Sequence, residues 1–317
     1  DDAGNTDTDT VSVSVRDTTS PTADAGSDMT VDEDTSVSFD ATGSSDNVGI
    51  VSYQWDFGDG GSSSGSTPSH TYSDPGSYTA SLTVTDDAGN TDTDTVSVSV
   101  RDTTSPSADA GSDRTITVGT TVTLDGSGSS DNDGIDTYSW SFDTGGTANG
   151  KTVRRTYNSI GTYTETLEVV DSAGNSDTDT VTITVQDTTA PNADVAGSDQ
   201  TITAGSTLSF DGSGSTDNVG IDAYQWDFDD GTTATGSTPS HTFETAGTHT
   251  VTLTVEDTAG NTDSATRTIT VEPAMTDRVE VTPAASQTLT AGETIPFNAT
   301  ALDQFDNEVT TNDTAFS

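Results

Sequence analysis

Apolar residues along this chain come singly, at every second position, in short runs. Tyr78, Ala80, Leu82 and Val84 alternate with Thr79, Ser81, Thr83 and Thr85, and Val96, Val98 and Val100 alternate with Ser97 and Ser99. Ser36–Asp40 alternates too, as does Ile50–Phe57, with Val51, Tyr53 and Trp55 or their neighbours as the large members. A period of two puts one set of side chains on each face of a strand, so these segments predict strands with one buried and one wet face. Turn residues separate them at Gly58-Asp59-Gly60-Gly61, Asp74-Pro75-Gly76 and Ala88-Gly89-Asn90. No helical period intervenes, and no window holds 18 consecutive apolar residues, the length of a membrane-crossing helix.

The pattern repeats. Residues 1–21 recur letter for letter at 86–106, and a related copy runs from Asp171 through Pro191, an offset of 85 residues that becomes 86 in the last unit, where Val195 is inserted. A unit of this size is long enough to enclose its own core, unlike a solenoid repeat. Several short strands per unit without a helix predict an all-β chain, a tandem array of immunoglobulin-like antiparallel β-sandwiches. The expected boundaries are 17–101, 102–186 and 187–272, with 1–16 read as the C-terminal end of a preceding unit and 273–317 as part of a different domain. Trp55, Trp140 and Trp226 hold the same place in successive units and are expected in the three cores.

The residues of the first unit carry a resemblance. Tyr53-Gln54-Trp55-Asp56-Phe57-Gly58-Asp59-Gly60, Pro68-Ser69-His70-Thr71-Tyr72 and Pro75-Gly76-Ser77-Tyr78 through Val84 together resemble a PKD domain. The third unit is similar, with Trp226-Asp227-Phe228-Asp229-Asp230-Gly231 and Pro239-Ser240-His241-Thr242-Phe243; the second departs, with Arg155 where His falls. The resemblance implies an extracellular, non-enzymatic module, spacer or binding unit, found on surface proteins, proteases and glycan-degrading enzymes. Past Pro273, the stretches Val279–Pro283, Leu289–Thr294 and Phe297–Val309 are similar to the bacterial immunoglobulin-like domains of invasin-type adhesins. Two glycosylation sequons begin there, at Asn298 and Asn312.

Charge narrows the partners. Asp and Glu number 53 against 8 Lys and Arg, a formal net charge of −45, so nucleic acid and anionic membrane are excluded. Such a surface suits near-saturated salt, where the Debye length falls to about 3 Å or less, and it points to an extreme halophile, an archaeon. Cysteine is absent, so no disulfide supports the sandwiches. The three histidines, His70, His241 and His249, form no nucleophile–base set, and no Gly-x-Ser-x-Gly elbow occurs. The segment reads as non-enzymatic, with other domains of the same chain as partners.

Calcium is the one chemistry with a geometric argument. The segment entering a sandwich, the turn between its second and third strands and the turn of its last hairpin return to one pole. The first unit offers Asp17, Asp46, Asn47, Asp86 and Asn90 there; the second Asp102, Asp131, Asn132, Asp133, Asp171 and Asn175; the third Asp187, Asp217, Asn218, Asp257 and Asn261. Ca²⁺ takes 6–8 oxygens in an adaptable shell. The same residues also suit tight turns, where Asp and Asn cap their own backbone. Three functions fit: a cell-surface stalk, an adhesion module binding glycan or surface protein, and an accessory region of a secreted hydrolase or virus fibre.

Overall fold

The computed structural model describes residues 2–282 and 287–310, and among them every regular element is a strand. They gather into two compact units, with the second repeat contributing to both. In the first repeat the strands are β1 (Met29–Asp32), β2 (Ser36–Ser38), β3 (Ile50–Asp56), β4 (Ser62–Ser64), β5 (Ser69–Thr71), β6 (Gly76–Asp86) and β7 (Thr91–Arg101). One sheet runs β1-β7-β6-β3-β4 and the other is the pair β2-β5. All pairs are antiparallel except β1 with β7, which run parallel.

The core between the sheets is what the alternation predicts. Ala80, Leu82 and Val84 of β6 and Val96, Val98 and Val100 of β7 are buried around Trp55, Phe39, Phe57 and Tyr72. Val51 departs from the pattern at 61% exposure, although it shares parity with Trp55. The ladder explains it: Ile50 pairs with Asp86 and Ser52 with Thr85, so Val51 is the extra residue of a bulge and turns outward. The later repeats carry Asp136 and Asp222 at that place, in bulges of the same register.

The second repeat has β8 (Arg114–Thr117), β9 (Thr121–Asp125), β10 (Ile135–Ser141), β11 (Thr147–Asn149), β12 (Thr152–Thr156), β13 (Gly161–Asp171) and β14 (Ser176–Gln186), ordered β11-β10-β13-β14-β8 with a β9-β12 pair. The third has β15 (Gln200–Thr203), β16 (Ser206–Ser209), β17 (Ile221–Asp227), β18 (Thr233–Thr235), β19 (Ser240–Phe243), β20 (Gly247–Asp257) and β21 (Thr262–Glu272), ordered β15-β21-β20-β17-β18 with β16-β19. Trp140 and Trp226 are fully enclosed, each donating its indole N–H to a carbonyl, Gly150 and Gly236. Past Glu272, β22 (Arg278–Thr282) and β23 (Asn298–Leu302) form a two-stranded antiparallel ladder.

Much of the acid is structural. On the wet edge of β7, Asp92 and Asp94 accept the N–H groups of Ala23 and Ala25, tying the entering segment to the last strand, and Asp28 reciprocates by accepting Ser97 N–H. Asp177, Asp179 and Asp113 do the same in the second repeat. In the third, Asp263 and Asp199 remain, and Ala265 stands where the second acceptor falls. There Arg267 reaches the carbonyls of Ser198 and Ala196 instead, beside the inserted Val195.

Candidate metal centres at the acidic poles

Each repeat brings three carboxylates together. Asp17, Asp46 and Asp86 each place one oxygen within 4.8 Å of the others, as do Asp102, Asp131 and Asp171, and Asp187, Asp217 and Asp257. The first of each trio lies on the entering segment, the second on the turn before the long third strand (β3, β10 or β17), and the third at the end of β6, β13 or β20.

The turn acid is fixed by its own backbone. Asp46 accepts the N–H groups of Val48 and Gly49 on Oδ2, both at 2.8 Å; Asp131 accepts those of Asp133 and Gly134, and Asp217 those of Val219 and Gly220. These bonds hold the Asp46 carboxyl below its ordinary range. They require a sharp reversal at the third residue, which Gly supplies at φ of 140°, 101° and 143°. In all three acids Oδ1 is buried without a hydrogen-bond partner.

The linker acid repeats this arrangement. Asp17, Asp102 and Asp187 each accept, on Oδ1 at 3.0 Å, the N–H of the residue two further on, and Oδ2 of Asp102 and Asp187 is buried without a partner. Burial pushes the Asp102 carboxyl up, with the neighbouring carboxylate of Glu33 adding to it. Asp187 is only 7% exposed.

The third acid is braced by the asparagine four residues on. Asp86 accepts both the backbone N–H and the side-chain amide of Asn90, and the same pair forms between Asp171 and Asn175 and between Asp257 and Asn261. Burial raises Asp171 and Asp257, but these donors outweigh it and both end below the ordinary range. Asn90 also donates to the carbonyls of Asp17 and Thr19, and Asn261 to those of Asp187 and Thr189, so the asparagine staples the linker to the hairpin.

The remaining sequence candidates make contacts of their own around the trios. Asn47 and Asn218 turn their amide nitrogens toward Asp17 and Asp187, Asn132 donates to Glu33, and Asp133 takes the hydroxyl of Ser172. Asn298 is exposed at the start of β23, and Asn312 lies outside the described residues. Two groups went unnoticed in the sequence. Asp303, fully buried, accepts the N–H groups of Ala274, Phe305 and Asn307 and the Asn307 amide, which outweigh its burial and hold it at about 2. Its four-residue spacing to Asn307 matches Asp86 to Asn90 and was a readable signal. Glu33 had none, since the equivalent positions are Val118 and Ala204.

The trios fit a hard cation. Their donors are all carboxylate oxygens, several are buried and unpartnered, and like charges this close favour a counter-ion between them. When bound, such an ion would supply charge neutralisation and cross-linking of linker, turn and hairpin, with Asp17, Asp46 and Asp86 and their equivalents as its ligands.

Comparison with known proteins assigns the repeats. PKD domain sequences match residues 18–100, 103–185 and 188–272. The chain belongs to the PKD domain family. Its PKD repeats are 47% identical over 60 residues to the pre-pro-metalloprotease PrtV of Vibrio cholerae serotype O1, covering 19% of this chain and 6% of that protein. They are 42% identical over 86 residues to collagenase ColA of Clostridium perfringens, covering 27% of this chain and 8% of that protein. The solved PKD1 domain of Vibrio anguillarum Epp is 43% identical and covers 26% of this chain and 94% of that domain, with a TM-score of 0.22. The chain thus spans under a tenth of the length of these two curated relatives.

Proposed function

We propose that this chain is the spacer region of an extracellular protein, holding a functional or anchoring module away from a halophile's surface, with Ca²⁺ at the acidic poles stiffening the junctions. One observation carries the reading: the linker into each PKD repeat supplies an acid to a trio whose other members belong to that repeat's turn and hairpin. A cation there ties the linker to the sandwich, and a spacer needs its linkers fixed. The β22–β23 segment belongs, in this reading, to an invasin-type immunoglobulin-like domain, and exposed Asn298 is its glycan acceptor. A second reading, the accessory region of a secreted hydrolase, is favoured by the metalloprotease and collagenase that contain related stretches.

The test of calcium is direct. Small-angle scattering of the full chain in 3 M KCl is expected to give a longer, better-defined particle with millimolar Ca²⁺ than with chelator. The triple variant Asp46→Asn, Asp131→Asn, Asp217→Asn, which keeps an oxygen for the turn but removes one carboxylate per pole, should abolish the difference. Equal profiles for the unmodified chain with and without Ca²⁺ remove the ion from the mechanism.

A further inference from the structure

Glu33 follows β1 in the first repeat, where its backbone N–H donates to the Arg101 carbonyl at the end of β7. Its side chain is a carboxylate only 5% exposed, in a protein whose acids otherwise mostly face water. Burying such a charge is costly unless donors surround it. Three N–H groups do, beside the Thr104 hydroxyl, and none of these donors belongs to the repeat that carries Glu33. Oε1 accepts the N–H groups of Thr103 at 2.9 Å and Thr104 at 2.7 Å, both in the linker between the first and second repeats. Oε2 accepts the Asn132 side-chain amide at 2.8 Å, from the second repeat's acidic turn.

We propose that Glu33 is an inter-repeat latch, a positioning residue that fixes the direction in which the second PKD repeat leaves the first. Hydrogen bonds to an ionised acceptor are about twice as strong as neutral ones, and three of them from two successive segments define an orientation as well as an attachment. The latch shares a donor with the metal pole: Thr104 N–H also reaches Oδ1 of Asp102 at 3.0 Å. The geometry of that pole and the placement of the first repeat are therefore set by the same peptide group. Elsewhere the device is missing from the sequence, because Val118 and Ala204 stand at the Glu33 position. Asn218, the counterpart of Asn132, turns to Asp187 of its own repeat instead.

Because the chain has no cysteine, pairs of introduced cysteines can be labelled uniquely. Ser62, Thr147 and Thr233 are exposed, equivalent positions on the edge strands β4, β11 and β18. Pulsed dipolar spectroscopy on the full chain, with chelator present so that no cation contributes, is expected to give a narrow 62–147 distance distribution. Glu33→Ala and Asn132→Ala should each broaden it at least twofold, Glu33→Gln less, and neither alanine variant should change the 147–233 distribution. Peptide-resolved amide exchange of the first repeat checks that Glu33→Ala remains folded, and Asn132→Ala, on an exposed turn, supplies the same answer without touching that repeat. A 62–147 distribution equally narrow in both alanine variants overturns the latch. A result in chelator leaves the calcium reading to its own test.

Discussion

Arg155 stands where the first and third repeats carry His70 and His241, and its surroundings have changed with it. The histidine rings stack on Phe57 and Phe228 with centroids 4.1 Å apart, and each bonds an aspartate, Asp59 at 2.6 Å and Asp230 at 2.7 Å. Arg155 lies over Phe142 at 4.1 Å, and its Nε faces Glu165 at 3.4 Å. Glu165 has a fully buried side chain and occupies a core position that is Ala80 or Val251 in the other repeats. The side chain at this position kept its aromatic platform while its acid partner moved from the loop into the core. Glu165 also accepts the Asp143 N–H at 3.1 Å, so Arg155 is its counter-ion and not its whole support; a buried charge that loses its counter-ion typically costs about 3–5 kcal/mol, more than a pair removed together. Arg155→Ala should therefore accelerate amide exchange throughout the second repeat, whereas Arg155→Ala with Glu165→Ala should recover much of the protection. Equal loss in the single and double variants would show that the uncompensated Glu165 charge is not what destabilises the repeat.

At the scale of elements, strand formation depends on neighbours: Thr91–Arg101 forms β7 between β1 and β6, with Val96, Val98 and Val100 buried. This marks what the sequence could and could not tell. Alternation exposed the long strands and the tryptophan cores, because both depend on local spacing and burial. It did not expose the parallel pairing of β1, a four-residue strand whose place is set by long-range contacts such as the Asp92 and Asp94 caps. At the poles, the repeated spacing announced the three aspartates. It did not reveal that their asparagine neighbours are donors, since an amide offers either end and only the fold selects one. Separate cores imply separate folding. Trp55, 2% exposed among Phe39, Leu82 and the β7 valines, should cost about 3–5 kcal/mol when cut to Ala. Amide exchange is expected to collapse in the first repeat and to persist in the third; loss of protection in both would reveal a shared cooperative unit.

Over the whole molecule, 45 uncompensated negative charges on 317 residues set the conditions under which these small cores survive. The structure makes the repulsion harder to relax, because many of these acids are held in place: Asp92, Asp94, Asp177 and Asp179 by linker N–H groups, and nine more in three trios. At 0.01 M salt the Debye length is about 30 Å, so carboxylates on opposite faces of a repeat act on one another; at molar salt it is about 3 Å and they do not. The melting temperature should rise steeply between roughly 0.1 and 2 M KCl for this reason alone. A few millimolar Ca²⁺ at low salt should recover part of the loss by a different route, since an ion bound only by the folded state stabilises by mass action. Mg²⁺ separates the two routes. It screens as well as Ca²⁺ but demands a small octahedral shell and keeps its waters, so it should rescue poorly if the trios are the sites. Equal rescue by both ions would leave screening intact and sink the trios as calcium sites, and a melting temperature flat across the salt range would show that self-repulsion does not govern stability in this chain.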